Sequence, residues 1–121
     1  MTSRPKLFTM LAAVLGLLAA AAPGAARGGP STLVECIEGS EFVANAAASR
    51  DNGISRDAFL DRLEGDLAAI HAFPVSIRWF AKDADDEQFL RAAARDVFDR
   101  PRSPERHAAA FFAACVARGS A

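Results

Sequence analysis

The two cysteines are the residues of this sequence best placed to form a covalent link. Cys36 and Cys115 stand near opposite ends of the chain, and neither belongs to a C-x-x-C motif of the redox-active kind. The sequence also begins with the pattern of an export signal. An isolated cysteine pair in an exported protein favours a disulfide over a metal or redox site. We therefore predict a Cys36–Cys115 bond that clamps the two ends together.

The two histidines have no metal-site spacing. His71 and His107 belong to no HxxxH or HExxH arrangement, which are the spacings that place two imidazoles on one helix face. We place His71 near the end of a helix, where positive charge is favourable. His107 falls in the first turn of another helix, where we expect an ordinary first-turn residue. The sequence predicts no metal site and no cofactor.

The acidic residues give no catalytic pattern either. A run of acids, Asp83 to Glu87, superficially resembles a calcium loop but lacks its central glycine and distal glutamate. Acids at that position are typical of a helix N-terminus. Asp57 and Asp61 fit a solvated helix face better than an acid–base pair. There is no GxSxG motif and no glycine-rich phosphate loop, so we predict that the chain is not an enzyme.

The arginines of the C-terminal third allow two interpretations. They could dock an acidic surface of a partner protein, or they could form a solvated rim in which Arg91 and Arg95 pair with Glu87 and its neighbours. Aromatic residues do not alternate with them, so nucleic acid binding is not predicted. The five candidates are Arg91, Arg95, Arg100, Arg102 and Arg106.

The N-terminus has the layout of a secretory signal peptide. Arg4 and Lys6 precede an uncharged apolar run, 7–22, and a small-residue site follows, with cleavage expected after Ala26. The run is shorter than the roughly 20 residues of a membrane span, although an uncleaved anchor is the alternative. We predict a signal peptide at 1–26 and one domain at 27–121 that is soluble and periplasmic or secreted. That domain carries 12 basic and 15 acidic residues, which gives no field that recruits nucleic acid or anionic membranes.

The remaining sequence predicts four helices joined by short connections, and no strands. Thr32 and Glu35 form a capping-box pattern, and Asn52-Gly53 is a stop signal. Four helices with short connections favour an all-α, up-and-down bundle, in which both cysteines lie at the same end. The other start and stop signals are Ser55, Pro74, Asp83, Pro101 and Ser103-Pro104.

Apolar spacing predicts which helix faces are buried. In the second helix, Gly65 could mark a close helix crossing. The segment 74–82 favours a short helical piece over an extended one, and Trp79 and Phe80 should be packed in either case. The first helix should bury Leu33, Cys36, Ile37, Ser40, Val43, Ala44 and Ala47, and the last should bury Ala108, Phe111, Phe112, Cys115 and Val116.

Three features together resemble a group of small secreted bacterial helical proteins. These are Cys36, the turn Arg50-Asp51-Asn52-Gly53 and Cys115, and the resemblance implies a fold more than an activity. The segment 97–115 is faintly similar to Tai-type periplasmic immunity proteins, which neutralise amidase effectors. The acid-stress chaperone HdeA is similar in size, helicity and its single disulfide. Neither resemblance assigns a functional residue.

These observations predict a small exported helical protein that acts by binding another protein. An immunity or inhibitor role and an acid-stress chaperone are the alternatives within that class. From a different class, a small metal-dependent hydrolase is the remaining alternative.

Overall fold

The computed structural model describes residues 31–119, and within that range it contains four α-helices and no strand. The predicted signal peptide 1–26 and its cleavage site lie outside the described residues. No helix in the described range has the length and apolar character needed to cross a membrane. The helices are α1 (Leu33–Asp51), α2 (Arg56–Ile70), α3 (Ala84–Asp99) and α4 (Pro104–Gly119), with a short 3₁₀ turn at Val75–Ile77.

The helices form the predicted up-and-down bundle. α1 packs against α4 and α3, and α2 packs against α3. Cys36, in the first turn of α1, is bonded to Cys115, near the end of α4, with their Cα atoms 5.6 Å apart. The start of α3 also lies at this end, because Asp86 pairs with Arg118 of α4 at 3.0 Å. The disulfide prediction and the fold prediction are both confirmed.

Local capping explains where α1 begins and ends and where α2 begins. Thr32 and Glu35 form the complete capping box. At the other end of α1, Gly53 has a φ of 100°, and its N–H and that of Ile54 donate to the carbonyls of Arg50 and Ser49. This pattern is a Schellman motif, which needs a residue that tolerates positive φ. Ser55 then caps α2 by accepting from the Ala58 N–H at 3.1 Å.

The core is built around Phe80, which is 1% exposed although it belongs to no helix. Its ring lies 5.6 Å from the Phe111 ring and 6.0 Å from that of Phe89. The disulfide, Val43 and Leu90 are also fully buried. The connection between α2 and α3 therefore supplies a central part of the core rather than running over the surface.

The predicted buried faces of α1 and α4 are partly wrong. Leu33 and Ile37 are 61% and 45% exposed, because close contact with α4 turns the face of Cys36, Gly39, Val43, Ala46 and Ala47 inward. In α4 the buried residues are His107, Phe111 and Cys115, at steps of four, whereas Val116 is 41% exposed.

The segment 74–82 is helical only at Val75–Ile77; Arg78 is extended, and the chain then turns at Phe80, whose carbonyl accepts from the Lys82 N–H at 3.0 Å. Trp79 and Phe80 are packed as predicted. The prediction for Gly65 is wrong, since a Cβ there would meet no atom within 4 Å. The close crossing is at Gly39, where a Cβ would collide with the Phe111 ring.

Candidate functional site

Most of the large apolar side chains that are exposed in the range 31–119 lie at the disulfide end of the bundle. Eight large hydrophobic residues are exposed among residues 31–119, and six of them belong to the start of α1 or to the connection after α2. Both segments lie at the end that the disulfide closes. We call these six residues the apolar end: Leu33, Val34, Ile37, Phe73, Val75 and Ile77, which are 45–65% exposed.

The backbone that carries the apolar end is held in place by hydrogen bonds. The Arg78 Nε donates to the Phe73 carbonyl at 2.9 Å, and its Nη2 donates to the His71 carbonyl at 3.3 Å. The side chain of Arg78 therefore closes the connection into a compact loop. Immediately after it, Trp79 and Phe80 anchor the chain in the core.

A second link joins this connection to α1. The Lys82 Nζ lies 2.7 Å from the Glu35 Oε2. Burial raises the pKa of Glu35, but the hydrogen bond and positive charge of Lys82 and the contacts with Thr32 outweigh it, so that the pKa lies below its usual value. The carboxylate that completes the capping box thus also ties α1 to the loop.

Asp86 and Glu87, which the sequence suggested as simple helix-start residues, are both buried. Asp86 accepts from the Lys82 N–H and pairs with Arg118 of α4 at 3.0 Å. The Arg118 guanidinium in turn lies 4.4 Å from the centre of the Phe89 ring, a cation–π contact. Asp83 does cap α3, as predicted, by accepting from the Asp86 N–H at 2.9 Å. The long-range role of Asp86 had no signal in the sequence.

Acids outnumber bases around the apolar end. Six acids lie at the starts of α1 and α3, against four bases that contact the same region. The bases are Arg78, Lys82, Arg91 and Arg118, and each is engaged within the chain, the last three with acids of this group. The acids are Glu35, Glu38, Asp83, Asp85, Asp86 and Glu87.

Three of the five candidate docking arginines form ion pairs within the chain. Arg91 bridges to Glu64 of α2 at 2.6 Å and to Glu87 at 3.4 Å. Arg100 and Arg102 both pair with Asp96, at 3.2 and 2.8 Å. The other two, Arg95 and Arg106, are exposed. The structure thus places Arg91 against α2 and Arg100 with Arg102 at the end opposite the disulfide, and docking by these arginines stays a prediction.

His71 caps the C-terminus of α2, the position expected from the sequence. Its Nε2 lies 2.7 Å from the Oε2 of Glu87, which is 8% exposed. Glu87 and Glu64 both contact Arg91, and the hydrogen bond from Arg91 lowers the pKa of Glu64. This network fixes α2 against α3, although the two acids are separated by 23 positions in the sequence.

The sequence placed His107 in the first turn of a helix but gave no sign that its side chain is buried. It is in the first turn of α4, but it is 2% exposed, and its buried Nε2 has no hydrogen-bond partner in the described part of the chain. Its Nδ1 lies 3.9 Å from Asp96. Burial lowers the pKa of His107, Arg102 and Arg50 lower it further, and Asp96 opposes them.

No group of three or more His, Cys, Asp or Glu side chains in the range 31–119 is arranged to hold a metal ion. Asp57 and Asp61 are exposed, as expected for a solvated face. Comparisons of the chain with protein-family models, curated proteins and solved structures found no match.

Proposed function

We propose that this chain is an exported helical module that binds another protein through the apolar end. The observation that carries this proposal is the concentration of exposed large apolar side chains at one end of the bundle. Exposed apolar patches on soluble domains are typical of interaction sites, because water contact at such a surface is unfavourable. Export to the periplasm or beyond is supported by the signal-peptide pattern and is compatible with the disulfide.

The rigidity of this surface also supports a binding role. The disulfide, the Arg78 hydrogen bonds and the Lys82–Glu35 pair brace its backbone. A surface that is already ordered loses little conformational entropy when a partner arrives. The apolar side chains are therefore presented in a fixed arrangement rather than on a mobile loop.

The charged residues around the apolar end indicate what kind of partner surface would be complementary to it. Because acids outnumber bases around the apolar end, the complementary surface is apolar at its centre and basic at its rim. An immunity or inhibitor role fits this description if the partner is an exported effector. An acid-stress chaperone is favoured by one separate observation, the buried His107, whose Nε2 has no hydrogen-bond partner among the described residues and whose protonation would loosen the bundle. No observation in the described residues favours the hydrolase alternative.

Site-specific photo-crosslinking in the native host tests the proposal. A photoreactive residue replaces Ile77 in the apolar end or, as the matched control, Ile54, which is 46% exposed and follows α1 at the opposite end. We expect a discrete protein adduct from position 77 and none from position 54. No adduct at position 77, or the same adducts from both positions, would contradict the proposal.

A further inference from the structure

A cleft separates α1 from α2, away from the apolar end. It has a volume of about 440 Å³, which is within the range of small-molecule sites. It exists because α1 packs mainly on α4 and α3, while α2 packs on α3. The rings of Phe42 and Phe59, 5.9 Å apart, lie along it, together with Ala46, Ala58 and Leu63.

The edges of the cleft are polar. Asn45 and Ser49 line it on α1, and Arg62 and Asp66 line it on α2. The Arg62 guanidinium makes no hydrogen bond or ion pair with any residue of the range 31–119, whereas those of Arg50, Arg56 and Arg91 are paired. Its five N–H donors are therefore available to an anion, and their planar arrangement matches a carboxylate.

We infer that this cleft binds a medium-chain fatty acid, with the acyl chain along the Phe42–Phe59 floor and the carboxylate at Arg62. The lining segment of α1, from Phe42 to Ser49, is about 10 Å long, and that of α2, from Ala58 to Asp66, is about 12 Å. This length suits a medium-length acyl chain lying along the helices. The site is separate from the proposed protein-binding surface and does not depend on it.

Decanoate is a suitable probe, and the chain supplies its own reporter. Trp79 is the only tryptophan of the sequence, and its ring lies 5.8 Å from that of Phe42, which lines the cleft. Titration of the exported protein with decanoate, below the concentration at which the fatty acid forms micelles, should change Trp79 fluorescence saturably and release heat in calorimetry. Decyltrimethylammonium, which has the same chain and a cationic head, should bind more weakly.

Substitutions of the two charged residues at the edge of the cleft, Arg62 and Asp66, should change the affinity for decanoate in opposite directions. We expect Arg62→Gln to weaken decanoate binding by about two- to fivefold, the range for an exposed ion pair. Asp66→Asn should tighten it by about twofold, because a nearby negative charge is removed. A ligand with a cationic head would reverse both signs and would overturn the inference.

Filling the cleft provides the steric test. Ala58→Phe places a ring in the cleft and should weaken decanoate binding by more than about tenfold, whereas Ala68→Phe, also exposed on α2 but outside the cleft, should not change it. Equal affinity in the Ala58→Phe protein, or no saturable signal in the unmodified protein, would overturn the inference. Ile77→Asp should leave decanoate binding unchanged, so failure here is distinguishable from failure of the protein-binding proposal.

Discussion

The Arg50 guanidinium at the end of α1 donates from Nη1 to the Val97 carbonyl, in the last turn of α3, at 2.7 Å. Its Nη2 donates to the Arg102 carbonyl at 2.7 Å and pairs with Asp51 at 2.8 Å. A single side chain therefore satisfies carbonyls at the end of α3 and in the connection to α4. This gives a physical reason for the Arg50-Asp51-Asn52-Gly53 turn: Asp51 orients the arginine, and Gly53 ends the helix that carries it.

Removing this clamp should destabilise the fold. Arg50→Ala leaves two part-buried carbonyls without their charged donor, and we expect the free energy of unfolding to fall by about 2 to 3 kcal/mol in urea denaturation. Arg50→Lys should recover only part of this, because an ammonium lacks the forked geometry. Arg106→Ala, at an exposed position of α4, is the control and should change stability by less than about 0.5 kcal/mol.

The disulfide should be a major source of stability. It joins residues 79 positions apart, and restriction of the unfolded chain over such a loop is worth about 4 to 5 kcal/mol in the chain-entropy model. We expect the double variant Cys36→Ser with Cys115→Ser to be less stable by about that amount. Urea denaturation of the oxidised protein with and without reductant measures the same quantity. Equal midpoints in the two conditions would contradict this prediction.

Substitution by alanine should lower the stability of the fold at Gly39 and raise it at Gly65. At Gly39 the new Cβ would collide with the packed Phe111 ring, so the ring or the two helices must shift, at a cost of about 1 to 3 kcal/mol. At Gly65 the space is open, and alanine should stabilise α2 by roughly 0.5 to 1 kcal/mol. Thermal melts of the two variants test the assignment, which fails if Gly65→Ala lowers the melting temperature or Gly39→Ala raises it.

The stability of the fold should decrease below neutral pH because of His107. Burial lowers its pKa below 6.5 in the folded protein, so as the pH falls through 6.5 the unfolded chain takes up a proton that the folded chain does not. The free energy of unfolding therefore decreases from about pH 6.5 down to the folded pKa and then levels off. His107→Phe removes this titration.

Comparing urea denaturation at several pH values between 7.5 and 5 should show a smaller decrease in the His107→Phe protein. Glu35, whose pKa is lowered, contributes only at more acidic pH, as its carboxylate becomes protonated. The two contributions are therefore separable. An identical pH dependence in both proteins would contradict the assignment to His107.

The helix ends were predictable because they depend on local chemistry. Thr32, Ser55 and Asp83 each accept a hydrogen bond from a backbone N–H three residues ahead, an interaction that neighbouring residues specify by themselves. The disulfide was predictable as well, because the chain has two cysteines and an up-and-down bundle brings them to the same end.

The candidate site was less predictable because it depends on how the helices are rotated against one another. Leu33 and Ile37 have the spacing of a core face, yet the contact between Gly39 and Phe111 sets the rotation of α1 and leaves both exposed. Phe80 enters the core from an irregular segment, which periodicity cannot reveal. The burial of His107 likewise follows from the packing of α1, α3 and α4 together.

The partner identified by crosslinking at position 77 should bind through the apolar end and not through the opposite end of the bundle. Its dissociation constant should be compared for the unmodified protein, Ile77→Asp and the matched control Ile54→Asp. If the apolar end is the binding surface, Ile77→Asp weakens binding by more than about tenfold, while Ile54→Asp changes it by less than about twofold. Equal constants for Ile77→Asp and the unmodified protein, or equal losses in both variants, would contradict the account.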